Sequence, residues 1–102
     1  MEEMKITNRK NDLGVVLQVE GRIDTYTAET FEQALLELLE KESVVTVDFE
    51  DVEYVSSAGL RALLNGQKKA NSQGKEMICV NINETVEEVL EMTGFIDILT
   101  IE

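Results

Sequence analysis

Apolar positions along this chain follow two periods, and the switches between them divide it into elements. Residues Lys5 to Arg9 are short and polar, compatible with an edge strand. Leu13-Gly14-Val15-Val16-Leu17-Gln18-Val19-Glu20 is rich in β-branched residues and partly alternating, so it reads as a strand, with Gly21 as the turn that ends it. The period then lengthens. From Ala28 to Glu42, Phe31, Ala34, Leu35, Leu38 and Leu39 recur at helical spacing after two candidate caps, Thr25 and Thr27. Glu29, Glu32, Gln33, Glu37 and Glu40 fall largely on the other sides, as the solvated face of such a helix does. Val44-Val45-Thr46-Val47-Asp48-Phe49 is nearly continuously apolar, which suits a strand covered on both faces, and Glu50 to Val55 reads as a connector anchored by its apolar residues.

The stretch Tyr54-Val55-Ser56-Ser57-Ala58-Gly59-Leu60 marks the next corner, where a strand-like run gives way to a helix. Leu60, Leu63, Leu64, Gln67 and Ala70 trace that helix's face, and Gly74 stops it. Glu76 to Val80 or Asn81 returns as a buried strand, and a strand, helix, strand unit of this kind calls for a right-handed crossover. Asn83 caps a third helix in which Val86, Val89, Leu90 and Met92 face inward, and Gly94 ends it. Phe95 to Ile101 makes a short terminal strand or extended tail. This order predicts one α/β domain with a mixed β-sheet, and 102 residues supply one core and not two.

Charge narrows the partners. With 21 acids against 9 bases the net charge is −12, so nucleic acid and anionic membrane surfaces, which need local Lys or Arg density, are excluded as direct partners. A basic protein surface is the natural complement. The polar start Met1-Glu2-Glu3-Met4-Lys5 has no apolar signal region, and no run approaches the roughly 20 apolar residues of a membrane span, so cytoplasmic residence is expected. There is no His, which excludes Ser/His/Asp catalysis and every His-containing zinc site. The lone Cys79, in the run Met77-Ile78-Cys79-Val80, is expected to be a small buried hydrophobe, and no disulfide forms within one chain. No metal and no cofactor is expected.

In open α/β sheets, sites gather outside the carboxyl ends of the strands, which brings Asp24, Ser56, Ser57 and the Asn81-Ile82-Asn83-Glu84-Thr85 turn toward one edge. Three chemistries compete there. A phosphate-binding enzyme lacks both a Walker loop and a G-x-G-x-x-G. A phosphoacceptor carboxylate at Asp48 lacks the acidic pair and the lysine of response-regulator receivers, so Asp48 reads as a structural strand residue. The third possibility is that the chain's own serine is the switch. On local evidence alone, the adjacent hydroxyls of Ser56 and Ser57 read as a plain helix cap.

Val44 to Phe49 followed by Tyr54-Val55-Ser56-Ser57-Ala58-Gly59-Leu60-Arg61-Ala62-Leu63-Leu64 resembles the signature of the STAS domain in bacterial anti-sigma factor antagonists. The likeness extends to Gly21-Arg22-Ile23-Asp24 with Thr27-Ala28-Glu29-Thr30, and to Val89-Leu90-Glu91-Met92-Thr93-Gly94-Phe95. It implies a STAS-like fold with helices packed mainly on one face of the sheet. It also implies a monomeric, non-enzymatic module that binds an anti-sigma factor serine kinase, releases the sigma factor, and is switched off by phosphorylation and restored by a serine phosphatase. The family's phosphoacceptor lies two residues before the Gly-Leu pair, here Ser57, and its acid after the second strand corresponds to Asp24. Many antagonists carry Asp where this chain has Ser56, and Ser56 is itself a chemically possible acceptor. The partner surface implied comprises Asp24, Ser56, Ser57, Ala58, Gly59 and Asn83. One further reading remains open, an unphosphorylated structural subunit of a lipid-transport ATPase complex, whereas the missing motifs disfavour an enzyme or nucleotide hydrolase in its own right.

Overall fold

A computed structural model describes residues 4–102. The start of the chain, Met1 to Glu3, lies outside the described residues, and with it most of the reading of its polar beginning. The elements are β1 (Met4–Lys10), β2 (Val15–Ile23), α1 (Ala28–Lys41), β3 (Val44–Val55), α2 (Ser57–Ser72), β4 (Glu76–Val80) and α3 (Glu84–Thr93), followed by a 3-10 turn at Phe95–Asp97. The sheet has the order β1-β2-β3-β4; β1 runs antiparallel to β2, while β2, β3 and β4 are parallel. This is the α/β domain with a mixed sheet that the hydrophobic pattern predicts. The β1–β2 connection is short because the Asn11 side chain accepts from the backbone N–H groups of Leu13 (3.2 Å) and Gly14 (2.7 Å), closing an Asx turn.

Strand alternation sends Leu17 and Val19 of β2, Val45, Val47 and Phe49 of β3, and Met77 and Cys79 of β4 into one core cluster. The same cluster takes Phe31, Leu35 and Leu39 from α1, Leu60, Leu63 and Ala70 from α2, and Val86 and Leu90 from α3. The three helices therefore bury their stripes against one face, each fully buried large side chain contributing about 1.5–3 kcal/mol. On the other face Gln18 and Thr46 stay half-buried, and Val16 and Ile78 are buried without joining that cluster. The expectation that Val44 to Phe49 is covered on both faces is thus corrected: helices cover one face only.

Two boundaries also move. Gly21 is not a turn but lies inside β2 at a φ of 96° that is open to glycine, and beside it the β2–β3 register slips, Gly21 pairing with Val52 and Arg22 with Tyr54, so that Glu53 is the extra residue on β3. The connector Glu50 to Val55 is the second half of β3, paired as Arg22 with Tyr54 and Ile23 with Val55. The slips explain why it did not look like a strand. Burial there falls on Phe49, Val52 and Val55, every third residue instead of every second.

Buried polar groups are satisfied locally. Asp48 Oδ1 accepts from Glu50 N–H (3.0 Å) and from the Asn81 amide (2.9 Å), whose residue adopts a left-handed φ of 58°. That makes Asp48 a structural carboxylate. Gln67 accepts from Thr100 N–H (3.2 Å) and donates to Asn71 (3.1 Å), while Lys75 donates to the Leu39 and Glu40 carbonyls at the end of α1. Cys79 is buried, and burial pushes its thiol up to about 12. The terminal segment is a 3-10 turn and a single bridge of Ile101 to Cys79, not a full strand. Met92 is 81% exposed, contrary to the inward position expected, because it lies on the far side of α3 from Leu90.

Candidate functional site

β2 and β3 end side by side at Ile23 and Val55, and the chain leaves each toward a helix. The two exits are tied together, Ser56 N–H donating to the Ile23 carbonyl at 2.9 Å. Ser56 is extended (φ −86°, ψ 177°) and caps α2: its Oγ accepts from Gly59 N–H at 3.2 Å and its carbonyl from Leu60 N–H at 2.8 Å. The two adjacent hydroxyls therefore divide their roles. Ser56 is the cap, and Ser57 is the first helical residue, exposed and outside the cap.

Gly59 brings the first turn of α2 onto the strand ends. A Cβ there would lie 2.8 Å from the Ile23 carbonyl oxygen and 2.9 Å from both Ile23 Cγ2 and Val55 Cγ1. No side chain fits without displacement. Ala58, half-buried, and Ser57 thus present a low, closely backed surface.

On the neighbouring exit, Asp24 and Thr27 bond reciprocally in the manner of a capping box. Asp24 Oδ1 accepts from the N–H groups of Tyr26 (2.9 Å) and Thr27 (3.1 Å), and Thr27 Oγ1 accepts from Asp24 N–H (2.9 Å) while donating to the Arg22 carbonyl (2.7 Å). Thr27 ends the turn before α1 but makes no side-chain cap bond of its own. Partial burial pushes the Asp24 carboxyl up, but the Tyr26 and Thr27 hydrogen bonds and the nearby Arg22 charge outweigh it, leaving Asp24 below the ordinary carboxylate value. Arg22 Nε lies 3.7 Å from Asp24 Oδ2, and its guanidinium sits 4.5 Å from the centroid of the Tyr54 ring.

Of the expected residues, the structure brings Asp24, Ser56, Ser57, Ala58 and Gly59 together at the ends of β2 and β3. Asn83 stands apart from them: it caps α3 through Val86 N–H (2.9 Å) and donates to the Val52 carbonyl (2.6 Å), back along β3. There it lines a hollow of about 680 Å³ with Glu20, Gly21, Glu50, Asp51 and Glu53. The convergence of the Asn81 to Thr85 turn on the serine corner is not seen, because β3 runs beyond the end of β4, whose last residue pairs with Asp48.

A second feature adjoins the corner: a groove of about 410 Å³ between α1 and the start of α2, lined by Thr25, Ala28, Glu29, Glu32, Leu36, Ala58 and Arg61. Tyr26 is 90% exposed beside Asp24. Sequence reasoning left out Arg22, Tyr26, Tyr54 and Arg61. The Arg22–Tyr54 pair needs β3 to reach Tyr54, and the four-residue step from Ser57 to Arg61 was the one signal available for Arg61.

The family model for the STAS domain matches residues 4–102. Among curated proteins, the chain is 31% identical over 85 residues to an anti-sigma-B factor antagonist of Listeria monocytogenes, covering 82% of this chain and 75% of that protein. It is 27% identical over 93 residues to the anti-sigma-B factor antagonist of Bacillus subtilis, covering 91% and 85%. Among solved structures, the fold matches an anti-sigma factor antagonist from Mycobacterium paratuberculosis with a TM-score of 0.85 at 22% identity, covering 96% of this chain and 84% of that one.

Proposed function

Because this chain belongs to the STAS domain family, we propose that it is an anti-sigma factor antagonist, a binding module that engages an anti-sigma factor serine kinase and is switched off by phosphorylation of Ser57. The observation that carries the reading is the division of labour at the corner: Ser56 is consumed as the helix cap, while Ser57 stands exposed on a surface that Gly59 holds against the strand ends.

The partner's backbone packs against Ser57 and Ala58 while the hydroxyl is small and neutral. The kinase transfers the γ-phosphoryl group of ATP to Ser57 Oγ, the bond to ADP breaking as the new ester forms and the hydroxyl proton passing to a base of the kinase. Phosphate adds about −1.5 to −2 charges and three acceptor oxygens. The start of α2 favours that charge by about 0.3–1 kcal/mol, so the domain stays folded. At the interface the same group has to be desolvated beside Asp24, and a penalty of about 3–4 kcal/mol weakens binding by a few hundred-fold. A serine phosphatase resets the switch. The module works in the cytoplasm as a monomer, without turnover, metal or cofactor of its own. No described helix is long and apolar enough to cross a membrane, and the net charge of −12 favours a basic protein partner over nucleic acid.

The test is phosphate mapping by mass spectrometry across Tyr54 to Arg61 in protein taken from its native cells, with partner capture from the same sample. Phosphate on Ser57, with a kinase recovered by the unmodified form alone, is expected. A chain never phosphorylated and recovered with a transporter ATPase would replace this reading with that of a structural subunit.

A further inference from the structure

Arg61 follows Ser57 by four residues on α2, the spacing that sets two side chains on one helix face with Cβ atoms about 5–6 Å apart. It is exposed and lines the groove with Ala58, Glu29 and Glu32. Yet it joins none of the ion pairs formed among the described residues, which are Lys10–Glu42, Arg22–Asp24 and Lys69–Glu40. Arg22, the other cation at the corner, is already held by Asp24 and Tyr54. In a chain with 9 bases against 21 acids, an uncommitted guanidinium one turn from an exposed serine is conspicuous. Its planar fork matches phosphate oxygens with paired hydrogen bonds, which a lysine ammonium does not reproduce.

We propose that Arg61 docks the phosphate of phosphorylated Ser57 onto the chain's own surface, drawing it across Ala58 toward the α1–α2 groove. This rests on the reading of Ser57 as the phosphoacceptor. Two effects on a partner follow. The docked phosphate covers Ala58, so the surface is closed by shape as well as by charge. Arg61, open to a partner's carboxylate in the unmodified chain, is withdrawn in the modified one. Glu29 and Glu32 face the same groove from α1 and compete for the guanidinium, but each carries a single charge against roughly −1.5 to −2 on the phosphate. Asp24, on the neighbouring strand exit, keeps its Oδ1 turned to the Tyr26 and Thr27 N–H groups.

The experiment installs phosphoserine at position 57 during translation, so that no kinase is needed, and follows its second ionisation by ³¹P NMR in the parent chain, Arg61→Gln and Arg61→Lys. A phosphoserine ionises near pH 6, and a docked guanidinium lowers that value. The parent is expected to titrate at least half a unit below Arg61→Gln, about a threefold change in the ionisation constant, with Arg61→Lys between them. The start of α2 acts equally on all three, so the differences isolate residue 61. Superimposable titrations would overturn the docking. Because the phosphate is installed and no partner is present, that failure leaves the Ser57 reading standing. Absence of phosphate on Ser57 in cells would count against that reading alone.

Discussion

Replacing Gly59 with alanine probes the packing on which the serine corner depends. The added Cβ meets three atoms closer than 3.0 Å: the Ile23 carbonyl oxygen, Ile23 Cγ2 and Val55 Cγ1. Neither side chain yields easily, since Ile23 is 0% and Val55 2% exposed and both are β-branched with restricted χ1. The carbonyl is fixed by its bond from Ser56 N–H. Overpacking of this kind costs about 1–3 kcal/mol, and three rigid contacts put Gly59→Ala near the top of that range. Alanine recovers about 1 kcal/mol through helix propensity, and Gly59 is not held at a positive φ that would strain it. The net loss is about 2 kcal/mol. For a domain of this size each kcal/mol lowers Tm by about 4–8 °C, so a fall of roughly 8–16 °C is expected in a thermal melt followed by circular dichroism. Urea unfolding should show a lower midpoint with an unchanged slope. A variant as stable as the parent would show that α2 does not rest on the strand ends as described.

Other perturbations separate neighbouring groups. Ser56→Ala should lose about 0.5–2 kcal/mol of stability with the cap to Gly59 N–H, whereas exposed Ser57→Ala should stay within about 0.5 kcal/mol of the parent; urea titration of the two variants distinguishes cap from switch. Asp24 has a folded pKa below the ordinary 3.8, so its stabilising effect is complete above that value and lost as pH falls through the lowered one. Urea midpoints of the parent and Asp24→Asn should therefore converge below about pH 4, and a gap that stays constant down to pH 2 would contradict the carboxylate's role. Cys79, buried and with its thiol at about 12, should resist iodoacetamide at pH 8 in the native protein and react once unfolded; rapid native labelling would refute its placement in the core.

How far the sequence carries the structure depends on where periodicity is clean. α1 and α2 were legible because Phe31, Leu35 and Leu39 repeat at helical spacing in the one, and Leu60, Leu63, Gln67 and Ala70 in the other, which Gly74 stops. The second half of β3 was not, because register slips at Gln18 to Glu20 and Gly21 to Arg22 turn its burial from every second to every third residue. That single misreading hid the pairing of Arg22 with Tyr54 and misplaced Asn83, whose position depends on β3 outrunning β4. The serine corner itself was visible as a strand-to-helix junction, but the roles of its two hydroxyls were not. Ser56 and Ser57 are chemically identical in sequence, and only the extended backbone at Ser56 decides which one caps. Met92 shows the limit of pattern alone, since a ten-residue helix with two buried positions leaves its outer face open to any residue.

The proposed switch is tested most directly by calorimetric titration of the unmodified chain, and of the chain carrying installed phosphoserine at 57, against the anti-sigma factor kinase recovered with it. Tight binding by the unmodified chain and affinity at least a hundred-fold weaker for the phosphorylated one are predicted, with identical far-ultraviolet circular dichroism for both. Equal affinity of the two forms would contradict the account.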